Sequence, residues 1–302
     1  MQRIDTRVLY FETGAENPVT HRVNPGEAFE VQTQINAGPW IDELPRGERE
    51  AWRRWLRGGN PSSGCIYVEG ARPGDVLSVH LGAIKLDPMG YTQFGGQNGA
   101  MPGWLDIGAH HKIVEIRNGL IHWSDKLKIP VRPMLGFVGV APPHERYHNG
   151  WGGFWGGNMD AQEVASGATL HLRVHHPGAL LHVGDMHAIQ GDGEICGAGG
   201  IEASGRARLT CYIENTAPKT LRYPRIQNAT HIGVIATARP AEDAFRTALM
   251  ELLRWLNESY RMPLGEAYLL LGQVLEARCT QYVNPSFTCV AKIARRYLPE
   301  SK

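Results

Sequence analysis

Asp185 and His187 stand two residues apart in GDMHAIQGDGE, residues 184–194. Asp192 and Glu194 repeat that spacing within the run, and Asn158 and Asp160 repeat it upstream in GGNMD, residues 156–160. Residues two apart on an extended strand project from the same face. Three such doublets can aim carboxylate oxygens and an imidazole nitrogen at one point. Those are the donors that a hard or borderline divalent cation takes. The chemistry that follows is hydrolytic, because a bound cation polarises a carbonyl and acidifies a water. Asp160, Asp185, His187 and Glu194 are the candidate metal ligands. Glu202 and Asp192 are the candidate proton carriers. Asn158 can orient an amide or a carbonyl through its own amide group. An acidic, Gly-rich surface turn would share some of these residues, but the second cluster upstream favours a site.

Further candidates surround this set. Asn158, or a backbone N–H of Gly156 or Gly157, could stabilise an oxyanion. Trp155 in WGGFW and His144 in PPHERYHNG are candidate substrate contacts, while Glu69 and Gln190 are candidate supports behind the ligands. His171 and His175 alternate with Leu170, Leu172 and Val174 in TLHLRVH, which predicts that both histidines are exposed. No GxSxG elbow, P-loop or dinucleotide fingerprint occurs, which disfavours a serine triad or a nucleotide enzyme. The five cysteines are scattered, without a CxxC pair. That pattern fits a reducing cytoplasm and no disulfide framework. Cys196, directly after GDGEI, is an alternative thiol nucleophile. A non-catalytic β-sandwich with a structural metal and Trp-rich binding loops is a further alternative.

The elements that must position these residues are mostly strands. Segments 76–86, 169–175, 208–214 and 231–238 read as short strands bounded by turn signals. Residues 112–123 read as a hairpin about Asn118-Gly119. No strand–helix–strand rhythm appears, so an antiparallel sandwich or barrel is expected rather than a parallel doubly wound sheet. Helical signals come late. After Pro240, Phe245, Leu249, Leu252, Leu253 and Leu256 form one apolar stripe, and a second helix is predicted from about Pro263 to Ala277. A weaker helix covers 45–57. The 302 residues carry 31 basic and 30 acidic side chains with no long run of either sign, which argues against a nucleic-acid partner. No stretch approaches the roughly 20 apolar residues of a membrane span.

Several segments together resemble the acetamidase/formamidase family: YVEGARPGDVLSV (67–79), IPVRPMLGFVGVAP (129–142), GGNMD (156–160), GALLHVGDMHAIQGDGEICG (178–197) and TQYVNPSFTCVAKI (280–293). The resemblance runs from about residue 60 to the end. It implies a mainly β, jelly-roll-like antiparallel β-sandwich with added C-terminal helices. It also implies one domain over 1–302, β-rich through 239, with helices and a closing strand over 240–302. The implied activity is hydrolysis of short amides, formamide or acetamide in type, to a carboxylate and ammonia. The implied assembly is a soluble homodimer or higher homo-oligomer, and the implied cofactor is a divalent metal, zinc before calcium. Asp160, Asp185, His187 and Glu194 fall on the family's polar cluster. The chain departs from the family near an early strand, where members often carry an aspartate and this chain reads TQIN at 33–36.

Overall fold

A computed structural model describes residues 1–95, 98–214 and 221–299. Its principal strands are β1 (Ala28–Thr33), β2 (Ser62–Val68), β3 (Val76–Phe94), β4 (His110–Arg117), β5 (Leu120–His122), β6 (Met134–Val140), β7 (Gly156–Asn158), β8 (Thr169–Arg173), β9 (Leu181–His187), β10 (Ala198–Glu214) and β11 (His231–Ala238). Two more, β12 (Glu276–Gln281) and β13 (Phe287–Ala294), follow the helices. The strands are hydrogen-bonded into one large, mainly antiparallel sheet that curls on itself, so the expected β-rich class is what forms. Leu77, Leu81, Leu135, Leu170, Leu172 and Leu209 meet inside the curl and exclude water from the main core.

Local chemistry accounts for several boundaries. Asn118 (φ 53°) and Gly119 (φ 74°) are both left-handed, the geometry of the two-residue turn that matches strand twist, and they join β4 to β5. Helix α1 is Arg46–Trp55 and α2 is Ala241–Tyr260, with Glu242 and Asp243 in the first turn of α2 against the positive end of its dipole. Leu252, Leu253 and Leu256 of α2 pack with Ala267 and Leu271 of α3 (Leu264–Val274) and with Ile232 and Val234 of β11 in a second core. Helix α3 ends before the predicted Ala277, because Glu276 and Ala277 pair with Lys292 and Ala291 as strand.

Alternation misplaces two histidines. Leu170, Leu172 and Val174 are buried as expected, but His171 is buried too. Its Nδ1 lies 2.7 Å from Ser78 Oγ and 3.4 Å from Glu214. His175 is half-buried against Phe154, and burial lowers its pKa to about 4. The second face of β8 is covered by other chain segments, so strand period alone did not report exposure. No helix among the described residues is long and apolar enough to cross a membrane.

Candidate metal and hydrolytic site

Strand β9 delivers the central pair. Every residue of Leu181–His187 is buried, and Asp185 and His187 come together as their spacing predicts, with His187 Nε2 3.5 Å from Asp185 Oδ1. Strand β10 runs antiparallel beside β9 and sets Glu202 directly opposite His187, with Glu202 Oε1 3.3 Å from Nε2. Asp160 arrives from the segment after β7. Its backbone N–H and that of Met159 donate to the carbonyl of Gly136 on β6. Glu194 enters from the turn that follows Asp192-Gly193. Asp160, Asp185 and His187 form one set that could hold a metal ion, and His187, Glu194 and Glu202 form another. All five side chains are buried.

The backbone is bent to achieve this. Asp160 (φ 45°), Asp185 (φ 50°) and Glu194 (φ 39°) are left-handed, a conformation costing non-glycine residues roughly 1–3 kcal/mol in such settings. Two glycines supply the space. A methyl group at Gly136 would overlap Asp160 Oδ1 and Asp185 Oδ2, and one at Gly200 would press on the His187 ring.

Burial and like charge set the electrostatics. Burial raises Asp160 to about 7, helped by Asp185 and opposed by His187. Burial and then Glu202 raise Asp185. Burial and then Asp160 push Glu194 well above the carboxylate range. Burial alone would lower His187, but the Asp185 and Glu202 carboxylates outweigh it and hold the imidazole well above its ordinary value. Asp160 Oδ1, Glu194 Oε2, His187 Nε2 and Asn158 Oδ1 are buried without a hydrogen-bond partner. Unpaired buried polar atoms are costly. Those on Asp160, His187 and Glu194 belong to the two sets that could hold a metal ion, and they mark a place made for something else to bind.

Amides frame the acids. Gln190 Nε2 donates to the carbonyls of Asp160 (2.8 Å) and Thr280 (3.1 Å), which leaves Oε1 to accept from His187 Nδ1–H at 3.0 Å. That bond fixes the tautomer and turns Nε2 towards the carboxylates, the usual support for a histidine ligand. Asn158 Nδ2 donates to Asp160 Oδ2 at 3.0 Å, and Asn284 Nδ2 donates to the same oxygen at 2.5 Å. Asn36, in the TQIN departure, sits inside the site. Its Nδ2 lies 3.2 Å from Asp185 Oδ1 and 3.0 Å from Glu202 Oε2, while its Oδ1 accepts the backbone N–H of Asn60. An open pocket of about 310 Å³ lies over the cluster, with Asn36, Tyr91, Asn158, Glu194, Glu202 and Asn284 in its walls.

The remaining sequence candidates fall elsewhere. Asp192 does not accompany Glu194, because the pair lies in a turn and not a strand. Its side chain is 63% exposed and sits 3.3 Å from Arg278. Glu69 is paired with Arg22 at the surface, and His144 is exposed outside the pocket lining. Trp155 is buried in the main core and stacked on Tyr147. Gly156 and Gly157 are buried in the pairing of β7 with β6 and are not among the residues that line the pocket. Cys196 is not among the residues that line the pocket. Asn60, Tyr91 and Asn284 were missed altogether. Only the 280–293 segment, noted for its resemblance, pointed towards Asn284.

Comparison with known proteins fits this geometry. Residues 154–294 match the model of the Acetamidase/Formamidase family, and Asp160, Asp185, His187, Glu194 and Glu202 all lie inside that span. Over that span the chain is similar to the family's domain. Over nearly its whole length it superimposes on structures with related names. A predicted acetamidase/formamidase from Thermoanaerobacter tengcongensis matches with a TM-score of 0.88 and 28% identity, over 98% of this chain and 96% of that one. An acetamidase from Bacillus halodurans matches with a TM-score of 0.88 and 29% identity, over 98% of both chains. A formamidase homologue from Schizosaccharomyces pombe is 47% identical over 58 residues, which are 19% of this chain and 14% of that protein. Asn36, Asn60 and Tyr91 complete the pocket from outside the family-model span, and Gly136, also outside it, leaves room for Asp160 and Asp185.

Proposed function

We propose that this protein hydrolyses short aliphatic amides, of the formamide or acetamide type, to a carboxylate and ammonia with a divalent cation bound among its buried acids. The observation that carries the reading is the set of buried polar atoms without a hydrogen-bond partner on Asp160, Glu194, Asn158 and His187, the first three of these residues lining one open pocket. Asp160, Asp185 and His187 would hold the ion, with Glu194 beside them. One imidazole among carboxylates suits zinc, and calcium less well. When bound, the cation supplies Lewis acidity towards the amide carbonyl and towards a water.

The chain's own residues supply the rest. Glu202 lines the pocket and takes the proton from the attacking water, then delivers it to the departing nitrogen. Asn36 holds Glu202 in place through its amide. Asn158 acts as an acceptor, since Asp160 occupies its Nδ2 and leaves Oδ1 free. That oxygen suits the NH₂ of a primary amide and not an oxyanion. Asp192, exposed and paired with Arg278, takes no part in proton transfer. The pocket, about 310 Å³, is at the lower end of the range for small-molecule sites and admits a short amide with room to spare. The same reading puts the enzyme in the cytoplasm, on its five free cysteines, and as a homo-oligomer, on the family resemblance.

Elemental analysis alongside ammonia release from formamide, acetamide and a lactam, before and after chelation, tests the proposal. Metal near one or two equivalents, with ammonia release lost on chelation and restored by zinc, is the expected result. Full ammonia release from chelated, metal-free protein would overturn it.

A further inference from the structure

Outside the acidic site, Cys279 on β12 and Cys289 on β13 face each other directly across an antiparallel pair. Residues in that relation have Cα atoms about 4.5–5.5 Å apart and side chains on one face. A disulfide spans about 4.4–6.8 Å between Cα atoms, so no backbone movement is needed to join the two. Both line a cavity of about 750 Å³ between the β12–β13 hairpin and the start of α2, with Glu242, Phe245 and Tyr282 in its wall. Cys279 is half-buried, within reach of a small solute, and Cys289 lies behind it at 4% exposure. The Cys279 thiol lies 3.2 Å from the Gln281 carbonyl and the Cys289 thiol 3.4 Å from that of Ala241, and the neighbouring Cys289 thiol brings the Cys279 thiol down to about 7 against the opposing effect of burial, with Tyr282 adding to the lowering. Cys65 and Cys211 contrast with this pair. Burial pushes both thiols up to about 12, and Cys211 faces Val79 across its strand pair.

We propose that Cys279 and Cys289 form a dithiol site oxidised by hydroperoxides. Cys279 Sγ attacks one peroxide oxygen and the O–O bond breaks. Cys279 becomes a sulfenic acid, and the departing oxygen leaves as water. Cys289 Sγ then attacks the Cys279 sulfur, the S–OH bond breaks, and a second water leaves. Two thiols and one hydrogen peroxide thus give one disulfide and two waters. The hairpin carrying the pair also forms the outer support of the acidic site, through the Thr280 carbonyl under Gln190 and the Asn284 amide on Asp160.

The test uses the intact protein, hydrogen peroxide, and mass spectrometry after alkylation and tryptic digestion. Arg278 and Lys292 flank the pair with no Lys or Arg between them, so both cysteines leave in one peptide, 279–292. The expected product is that peptide, unalkylated and lighter by two hydrogens, with free thiols falling from five to three and returning to five with a thiol reductant. Cys279 should react at least about tenfold faster than Cys65 or Cys211. In C289S, Cys279 should stop at the sulfenic acid and be trapped by a diketone reagent. A 279–292 peptide that remains fully alkylated after peroxide treatment, or wild-type Cys279 going directly to the sulfinic acid, would overturn the proposal.

Discussion

His182 and His187 lie on the same strand, five positions apart, both with no exposed surface. Their surroundings shift their pKa values in opposite directions. His182 meets Ser62 Oγ at 3.1 Å, Asn17 Nδ2 at 3.3 Å and the edge of Tyr10. Among the described residues no carboxylate pairs with it, and burial pushes its pKa down to about 3. His187 meets Asp185 and Glu202, and their charge overrides the same burial penalty. Depth in the fold therefore says nothing by itself about whether a histidine is a packing residue or a site residue. The sign of what surrounds it decides.

The largest effect should separate the two. His187→Ala is expected to abolish both divalent-ion binding and ammonia release. His182→Ala should keep stoichiometric ion binding while losing about 2–4 kcal/mol of stability to a cavity and stranded hydrogen-bond partners. Metal analysis and denaturant unfolding on both variants would check this. Loss of the ion in His182→Ala with retention in His187→Ala would invert the comparison.

A pH series sharpens it. Asp160 is raised from 3.8 to about 7 in the fold, so its contribution to metal-free stability is complete below about 4 and is lost as pH rises through about 7. His182 is lowered from 6.5 to about 3, so its contribution is complete above 6.5 and is lost as pH falls towards 3. The two contributions slope in opposite directions between pH 4 and pH 7. A divalent ion binds the ionised acids and removes the first contribution. Added zinc should therefore stabilise the protein much more at pH 8 than at pH 5, read as denaturation midpoints with and without the ion. Equal stabilisation at both values would contradict a titrating cluster.

The smallest effect is expected at the doublet partner that the fold turned outward. Asp192→Asn should change ammonia release by less than about twofold and stability by under about 0.5 kcal/mol, because its contact with Arg278 is a surface pair. A large fall in turnover would return Asp192 to the site.

Much of the fold could be read from local chemistry. Asn118-Gly119 marked its hairpin, and the Leu249–Leu252–Leu256 stripe marked α2 together with its core face. The site was legible where it depended on strand period, in Asp185 and His187, since two residues of one strand carry their relation in their spacing. It became illegible wherever a relation was tertiary. Glu202 faces His187 only through the register of β9 with β10, which neither segment encodes alone. Asn36, Asn60 and Asn284 come from distant segments, and amides carry no charge pattern to betray them. Asp192 and Glu194 shared the right spacing in a segment that turns instead of extending, so the same rule that located Asp185 and His187 failed seven residues later.

Gly136 and Gly200 carry no reactive atom, yet their missing side chains are the room in which Asp160, Asp185 and His187 stand. A genetic screen that scored only loss of activity would place these two among the essential residues, beside the acids and the imidazole. A larger residue at either position would act as a knockout by eviction, with every functional group still present in the gene.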